Sequence, residues 1–295
     1  MISLPKSINP KELINTIREL CWDVSTIFKS YNQTKESEEQ FRKNLNIRNL
    51  DSGPVTAADI QISDLIKSRI KNKYQFAPWE FLSEEDKRDN QNRQFKSKWV
   101  WIIDPLDGTK DFINETGEYA MHLALSYGGE IIYGFVLIPD KNQLWISVEG
   151  QGTWFENKNL VKESPIKSNL KKFNELKILT SKSHLHKEFD ILLNKLNPKK
   201  VQGMGSIGFK ISSILRGDGD LYISYALPNG SCPKDWDIAA PASLIQKAGG
   251  FFTDINGQNL KFLKDSNFDQ KGILIASMNT NHIEICRTIS DLVNN

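Results

Sequence analysis

The sequence predicts a layered α+β / α/β protein, with an antiparallel sheet and helices in its N-terminal part and alternating strands and helices in its C-terminal part. Three observations predict it. Apolar residues first recur at helical spacing, between Leu13 and Ile27. From Phe81 to Phe155 the pattern changes to short apolar runs separated by turn sequences. Beyond residue 175, strand-like and helix-like segments alternate, as they do where helices cover sheets. The polar, lysine-rich stretch near 157–175 separates the last two regions and divides the chain into an N-terminal domain, 1–160, and a C-terminal domain, 175–295.

Each element follows from local pattern. Asn9 and Pro10 cap a first helix whose Leu13, Ile14, Ile17, Leu20, Val24 and Ile27 form one apolar stripe. A helix follows Thr56 and runs to about Ile70. The sheet region is punctuated by Y-G-G-E at 127–130, P-D-K-N at 139–142 and G-Q-G at 150–152, turns that spell an antiparallel meander. Afterwards come a strand at 176–180, a helix over about 185–196 and a helix behind Gly205-Ser206. The strand L-Y-I-S-Y, a helix from Asp237, and strands near Phe251 and Ile273 complete the order.

Composition narrows the class. At 295 residues the chain has ample capacity for a core. Thirty-eight Lys and Arg against 36 Asp and Glu leave a net charge of +2, too balanced for wrapping nucleic acid or adhering to a membrane. The basic run K-L-N-P-K-K at 195–200 reads as a solvated face. No apolar run reaches about 18 residues, and M-I-S-L-P-K leads into a polar helix start without a signal-peptide pattern, so a cytoplasmic protein is expected. Cys21, Cys232 and Cys286 are scattered and odd in number, which argues for a reducing compartment. The four histidines form no H-x-x-x-H pair, and His184 and His186 lie two apart, which argues against a histidine metal site.

The chemistry concentrates between Trp99 and Phe112, W-V-W-I-I-D-P-L-D-G-T-K-D-F. Val100 to Ile103 form a buried strand, and Asp104 at its end places a charge where desolvation is costly unless a cation or donors meet it. Pro105 stops the ladder and turns the chain, so the Leu106 carbonyl and Asp107 come round toward the same point. Hard oxygen ligands of this kind suit Mg²⁺ or Mn²⁺. Gly108 and Thr109 add close backbone approach, N–H groups for a phosphate, and a hydroxyl. Alone, the segment is equally readable as a surface turn, since Asp-Gly is a common turn pair. F-L-S-E-E at 81–85 and D-W-D-I-A-A-P-A at 235–242 add two further acidic element ends, as expected of a site gathered by folding. Each also has an ordinary reading, Glu84-Glu85 as a solvated edge and Asp237 as a helix N-cap.

Together these motifs resemble the lithium-sensitive, metal-dependent phosphomonoesterases of the inositol monophosphatase family, with W-I-I-D-P-L-D-G-T between an upstream S-E-E and a downstream W-D-I-A-A-P, from about Val55 to Ala276. S-K-S-H at 181–184 and D-P-L-D-G-T-K are most similar to the CysQ-type 3'(2'),5'-bisphosphate nucleotidases of that family, which implies a place in sulfur metabolism. The resemblance implies an αβαβα sandwich and two or three Mg²⁺ ions, with Mn²⁺ an alternative. Glu84, Asp104, the Leu106 carbonyl, Asp107 and Asp237 match the metal ligands, Asp104 bridging two ions. Asp59, in P-V-T-A-A-D, matches the acid that accepts from the threonine of D-G-T, here Thr109. That pair would orient a water polarised by the cation. Implied substrate contacts are Glu84, Leu106, Asp107, Gly108, Thr109, Gly205, Ser206 and Asp237. The partner implied is a small phosphorylated molecule, and a homodimer is compatible with the family.

Substrate choice rests on charge. An inositol-type enzyme, by the resemblance, has an acidic residue between the Gly-Ser helix and the final Trp-Asp, and Ile223 to Lys234 contains no carboxylate. Lys210 and Lys234 stand there instead, and cations suit a second phosphate better than a polyol. Singly, each lysine reads first as a solvent-exposed side chain, and it is the pair beside motif residues that points to a phosphate. Two departures are Tyr225, near which some relatives carry an arginine, and Asn49, where many have a lysine. The expected activity is removal of the 3'-phosphate of adenosine 3',5'-bisphosphate, with its sulfated form a second candidate. Inositol or broader sugar phosphatase activity is the alternative within the class, and a non-catalytic phosphate- or metal-binding module is the alternative outside it. Phosphoaspartate chemistry of the D-x-D-G-T type is disfavoured by spacing, because Pro105 stands where the nucleophile would be.

Overall fold

The computed structural model describes residues 4–6, 8–33, 38–50, 53–86, 93–159, 162–166, 170–182, 186–228, 230–264 and 267–294. Helix α1 (Pro10–Gln33) is followed by α2 (Glu38–Leu45), a small hairpin of β1 (Arg48–Leu50) and β2 (Gly53–Val55), and α3 (Ala57–Lys73). Asn9 Oδ1 accepts from the amides of Lys11 and Glu12 and so caps α1, as Asn9-Pro10 predicts. Thr56 caps α3 with its hydroxyl oxygen on the Ala58 amide, while Asp59 reaches back to the Thr56 amide at 2.7 Å.

Seven strands then form one sheet in sequence order: β3 (Trp79–Ser83), β4 (Trp99–Asp107), β5 (Ala120–Tyr127), β6 (Glu130–Ile138), β7 (Gln143–Val148), β8 (Gly152–Asn157) and β9 (Lys162–Glu163). All neighbours are antiparallel except β3 and β4, which run parallel because the chain crosses back between them. The short helix α4 (Thr109–Ile113) lies between β4 and β5. A second sheet, ordered β11-β10-β12-β14-β13, uses β10 (Lys177–Ser181), β11 (Lys200–Met204), β12 (Leu221–Tyr225), β13 (Phe251–Asp254) and β14 (Ile273–Ser277). Its helices are α5 (Lys187–Leu196), α6 (Ile207–Leu215), α7 (Asp235–Lys247) and α8 (His282–Asn294).

Side-chain alternation turns these elements into layers. Along β4, Trp99, Trp101 and Ile103 pack with α1 and α3, while Val100 and Ile102 face α6 and α7. The second sheet repeats the scheme: Tyr222, Leu274 and Ala276 face α6 and α7, and Leu221, Ile223 and Ile275 face α5 and α8. The result is the αβαβα sandwich, with α6 and α7 as a middle layer shared by both sheets. Among the described residues no helix is long and apolar enough to cross a membrane.

The structure corrects several sequence expectations. Pro105 does not stop the ladder: β4 continues to Asp107, whose partner is Ala120, through an irregularity after Asp104. A bulge is where a strand tolerates a residue without an N–H. Asp237 is the third residue of α7 and not its N-cap, since the helix begins at Asp235. The sequence reading leaves α2, the β1–β2 hairpin, α4, β11 and α8 unassigned; β11, K-V-Q-G-M, is an edge strand with too few apolar residues to announce itself.

Gly134 of β6 sets how closely α7 approaches the first sheet. A Cβ there would stand 2.7 Å from the Ser147 hydroxyl, 3.0 Å from Ser243 Cβ and 3.1 Å from the Ala240 carbonyl. Gly134→Ala is therefore expected to destabilise the protein by about 1–3 kcal/mol through overpacking. A urea unfolding midpoint equal to that of wild type would contradict this packing.

Candidate metal centre and active site

The site is assembled at the end of β4. The bulge lets the Leu106 amide donate to Asp104 Oδ1 at 3.0 Å and returns Asp107 to the ladder, so both acids belong to one short segment. Strand β3 runs parallel with Ser83 beside Ile103, which carries the following Glu84 alongside Asp104. Helix α7 supplies Asp237, fixed by the Lys234 amide donating to its Oδ2 at 2.6 Å. Oxygens of Glu84, Asp104 and Asp237 lie within 4.8 Å of one another. A second group, Asp104, Asp107 and His122, satisfies the same distance.

The electrostatics of this gathering are unfavourable without a cation. Asp104 is fully buried, and among the described residues its Oδ2 has no hydrogen-bond partner. Burial, then the neighbouring Glu84, Asp107 and Asp237, push its carboxyl well above the usual carboxylate range. Asp237 is raised too, by burial and then by Asp107 and Glu84. Asp59 is pushed up to about 6, by burial first, with Thr56 opposing and Glu84 adding. An orphaned buried oxygen among mutually repelling carboxylates is what a hard divalent cation would relieve, so the donor set fits Mg²⁺.

Gly108 adopts φ +88° and admits close packing: a Cβ would lie 3.2 Å from the Glu118 carbonyl oxygen and 3.3 Å from the Ser206 amide nitrogen. Asp107 Oδ2 in turn accepts from the Ile207 amide at 2.5 Å, tying the first residue of α6 to the acidic segment. Gly205 and Ser206 are thus near the site, but their amides are taken: Gly205 donates to Glu118 Oε2 at 3.1 Å and Ser206 to the Glu118 carbonyl at 2.8 Å. They shape the turn; in this arrangement they do not offer those N–H groups to a ligand.

Three expected contacts are not made. Asp59 Oδ2 accepts from the Thr56 amide and hydroxyl, and the Thr109 hydroxyl donates to the Leu106 carbonyl at 3.1 Å, so Asp59 and Thr109 do not pair here. Thr56 captures Asp59 because a capping box is a local contact, three residues apart. Lys210 is buried; its ammonium donates to the Met204 carbonyl at 3.2 Å and to the Gly205 carbonyl, holding the strand-to-helix turn, and burial lowers it to about 8. The Lys234 ammonium is paired with Asp269. Neither lysine is a free cation awaiting a phosphate.

Sequence reasoning missed Lys182, Asp111, Glu118 and His122. Lys182 bridges Asp111 at 2.7 Å and Glu118 at 2.6 Å while 41% of its side chain stays exposed. Its signal was available, since it belongs to S-K-S-H; Ser183 and His184 of that motif lie outside the described residues. His122 gave no signal, because spacing along the chain cannot show a residue that meets the acids from the next strand. His122 nevertheless stands beside the acids, its Nε2 3.4 Å from Asp107 Oδ2.

The inositol monophosphatase family model matches residues 9–294. The chain is 29% identical over 226 residues to the 3'(2'),5'-bisphosphate nucleotidase CysQ of Escherichia coli (strain K12), covering 77% of this chain and 86% of that protein. A putative Nus factor SuhB of Neisseria meningitidis serogroup A is 27% identical over 165 residues, covering 55% of this chain and 60% of that protein. Among solved structures, a staphylococcal IMPase-I complexed with products superposes with a TM-score of 0.73 at 17% identity, covering 96% of each chain. The Thermotoga maritima IMPase does so at 0.72 and 20% identity, covering 96% of this chain and 98% of that one. At such identities the structural likeness speaks for the fold alone.

The raised carboxyls imply a pH dependence. The unfolded chain releases the Asp59 proton near the ordinary 3.8, whereas the folded chain keeps it to about 6. Across that window the unfolded state binds fewer protons, so metal-free protein loses stability as pH rises, by on the order of 3 kcal/mol for Asp59 above the window. Asp104 and Asp237 act in the same direction. Urea denaturation in chelator from about pH 4 to about pH 7 should show this decline, reduced by Asp59→Asn and by saturating Mg²⁺. A profile that is flat in chelator would contradict the reading.

Proposed function

The chain belongs to the inositol monophosphatase family, and from that premise we propose that this metal-dependent phosphatase is a 3'(2'),5'-bisphosphate nucleotidase that hydrolyses adenosine 3',5'-bisphosphate to AMP and phosphate. The observation that carries the phosphatase chemistry is the convergence of Glu84, Asp104 and Asp237 around a buried carboxylate oxygen that makes no hydrogen bond among the described residues. The nucleotidase assignment is supported by similarity to CysQ and by the charge beside Gly205. There Lys182 bridges Asp111 and Glu118 and brings an ammonium to this edge of the site.

Glu84, Asp104, the Leu106 carbonyl, Asp107 and Asp237 would hold two or three Mg²⁺ ions, with Mn²⁺ an alternative, and bound cations would stabilise negative charge on the phosphoryl oxygens. The protein's own groups do the positioning. A hydroxyl has one proton to give, and Thr109 gives it to Leu106. Turning that proton to Asp59 frees a lone pair on the Leu106 carbonyl and leaves the Thr109 oxygen as an acceptor. That arrangement orients the attacking water, with Asp59 fixing the hydroxyl. Gly108 and Thr109 present backbone to the phosphate. In this proposal Lys182, whose side chain is 41% exposed, exchanges part of its pairing with Asp111 and Glu118 for the second phosphate.

Phosphate release from adenosine 3',5'-bisphosphate, inositol 1-phosphate and fructose 1,6-bisphosphate, each with Mg²⁺, tests the assignment. The nucleotide should give the highest kcat/KM, and a preference for inositol 1-phosphate would replace the nucleotidase reading with the inositol one. Thr109→Ala should lower kcat far more than it raises KM, as when water orientation is lost but ground-state contacts remain; a change confined to KM would make Thr109 a binding residue. Lys182→Met should lower kcat/KM for the bisphosphate by about tenfold, the value of one charge-assisted hydrogen bond, and spare inositol 1-phosphate. Parallel losses on both substrates would remove Lys182 from the specificity argument.

A further inference from the structure

His122 is buried in the sheet between two proposed metal ligands, and the chemistry described so far gives it no task. Asp104 of β4 and His122 of β5 are register partners in the antiparallel ladder, so their side chains project from the same face of the sheet. Nδ1 lies 4.0 Å from Asp104 Oδ2, and Nε2 lies 3.4 Å from Asp107 Oδ2. The ring is 1% exposed, and among the described residues neither of its nitrogens has a hydrogen-bond partner, nor has Asp104 Oδ2. Three buried polar atoms on one cross-strand pair are therefore left without a hydrogen bond among the described residues, a costly state that native interiors rarely keep.

The surroundings make room for this ring at the expense of any larger neighbour. Gly208, the second residue of α6, has no Cβ; one there would stand 2.2 Å from His122 Nε2 and 2.7 Å from a Val136 methyl. The backbone of Trp236 and Asp237 at the start of α7 also lies close to the imidazole.

We propose that His122 is a nitrogen ligand of the metal centre together with Asp104 and Asp107, and that this position consequently favours Mn²⁺ over Mg²⁺. The inference rests on the metal-dependent reading above and adds to it a donor type that an all-oxygen site lacks. Imidazole strengthens binding of first-row transition dications, whereas Mg²⁺ holds to oxygen and water. One cation would satisfy the orphaned Asp104 oxygen and a ring nitrogen together.

The test is pulsed electron paramagnetic resonance of tag-free protein loaded with Mn²⁺, at natural abundance and with ¹⁵N-histidine. It is paired with calorimetric titration of Mn²⁺ and of Mg²⁺ into wild type and His122→Asn. Wild type should show a directly coordinated histidine nitrogen that shifts with ¹⁵N and vanishes in His122→Asn. The variant's Mn²⁺ affinity should fall by about tenfold or more relative to its Mg²⁺ affinity. Bound Mn²⁺ without a histidine nitrogen signal in wild type overturns the proposal and leaves the acidic metal site standing, as would a signal that persists in His122→Asn. Failure of both ions to bind wild type would remove the metal-dependent reading itself. The ¹⁵N spectrum of wild type decides the matter even if the variant does not fold.

Discussion

Asp104 is a carboxylate driven into the interior by the strand that carries it. Val100 to Ile103 bury both faces of β4 in apolar layers, and the chain reaches Asp104 before it can return to solvent. Its charge then has to be answered by what the fold brings near it. The Leu106 amide answers one oxygen, and the other is left for the centre formed with Glu84, Asp107, Asp237 and His122. The bulge at Pro105, the parallel approach of β3 and the entry of α7 all converge on this demand.

Close backbone approach is what lets distant segments share the site. Gly108 meets the Glu118 and Ser206 backbone, and Gly205 sits where a Cβ would be 2.3 Å from the Glu118 carbonyl oxygen. Asp107 fastens the head of α6, and Glu118 fastens the turn before it. Lys210 secures the same turn from beneath through the Met204 and Gly205 carbonyls. The middle helical layer is thereby locked to the first sheet at the point where the acids gather, so the site is a property of the packing between layers.

Charge around this seam is mostly spent on structure. Lys234 is committed to Asp269 and Lys210 to carbonyls, while Lys182 combines two carboxylate partners with an exposed flank. Counting lysines near a motif could not separate these cases, because pairing is decided by residues such as Asp269 and Glu118 that lie 35 and 64 positions away in the chain. In the proposed nucleotidase the selectivity for a second phosphate therefore depends on a lysine outside the stretch where charge alone pointed.

The sequence by itself determined the periodic elements, the layered class and the acidic strand end, because helix and strand periods, turn residues and a buried run ending in Asp104 are local properties. It also made the family legible through W-I-I-D-P-L-D-G-T, S-E-E and W-D-I-A-A-P, whose order survives along the chain. Tertiary structure alone decided that β4 passes through Pro105, that Asp59 rests on Thr56, that Lys234 is paired, and that His122 stands opposite Asp104. Register between strands, the choice among competing hydrogen-bond partners and the neutralisation of a charge depend on which residues the packed layers bring within a few ångströms, and one-dimensional spacing does not contain that information.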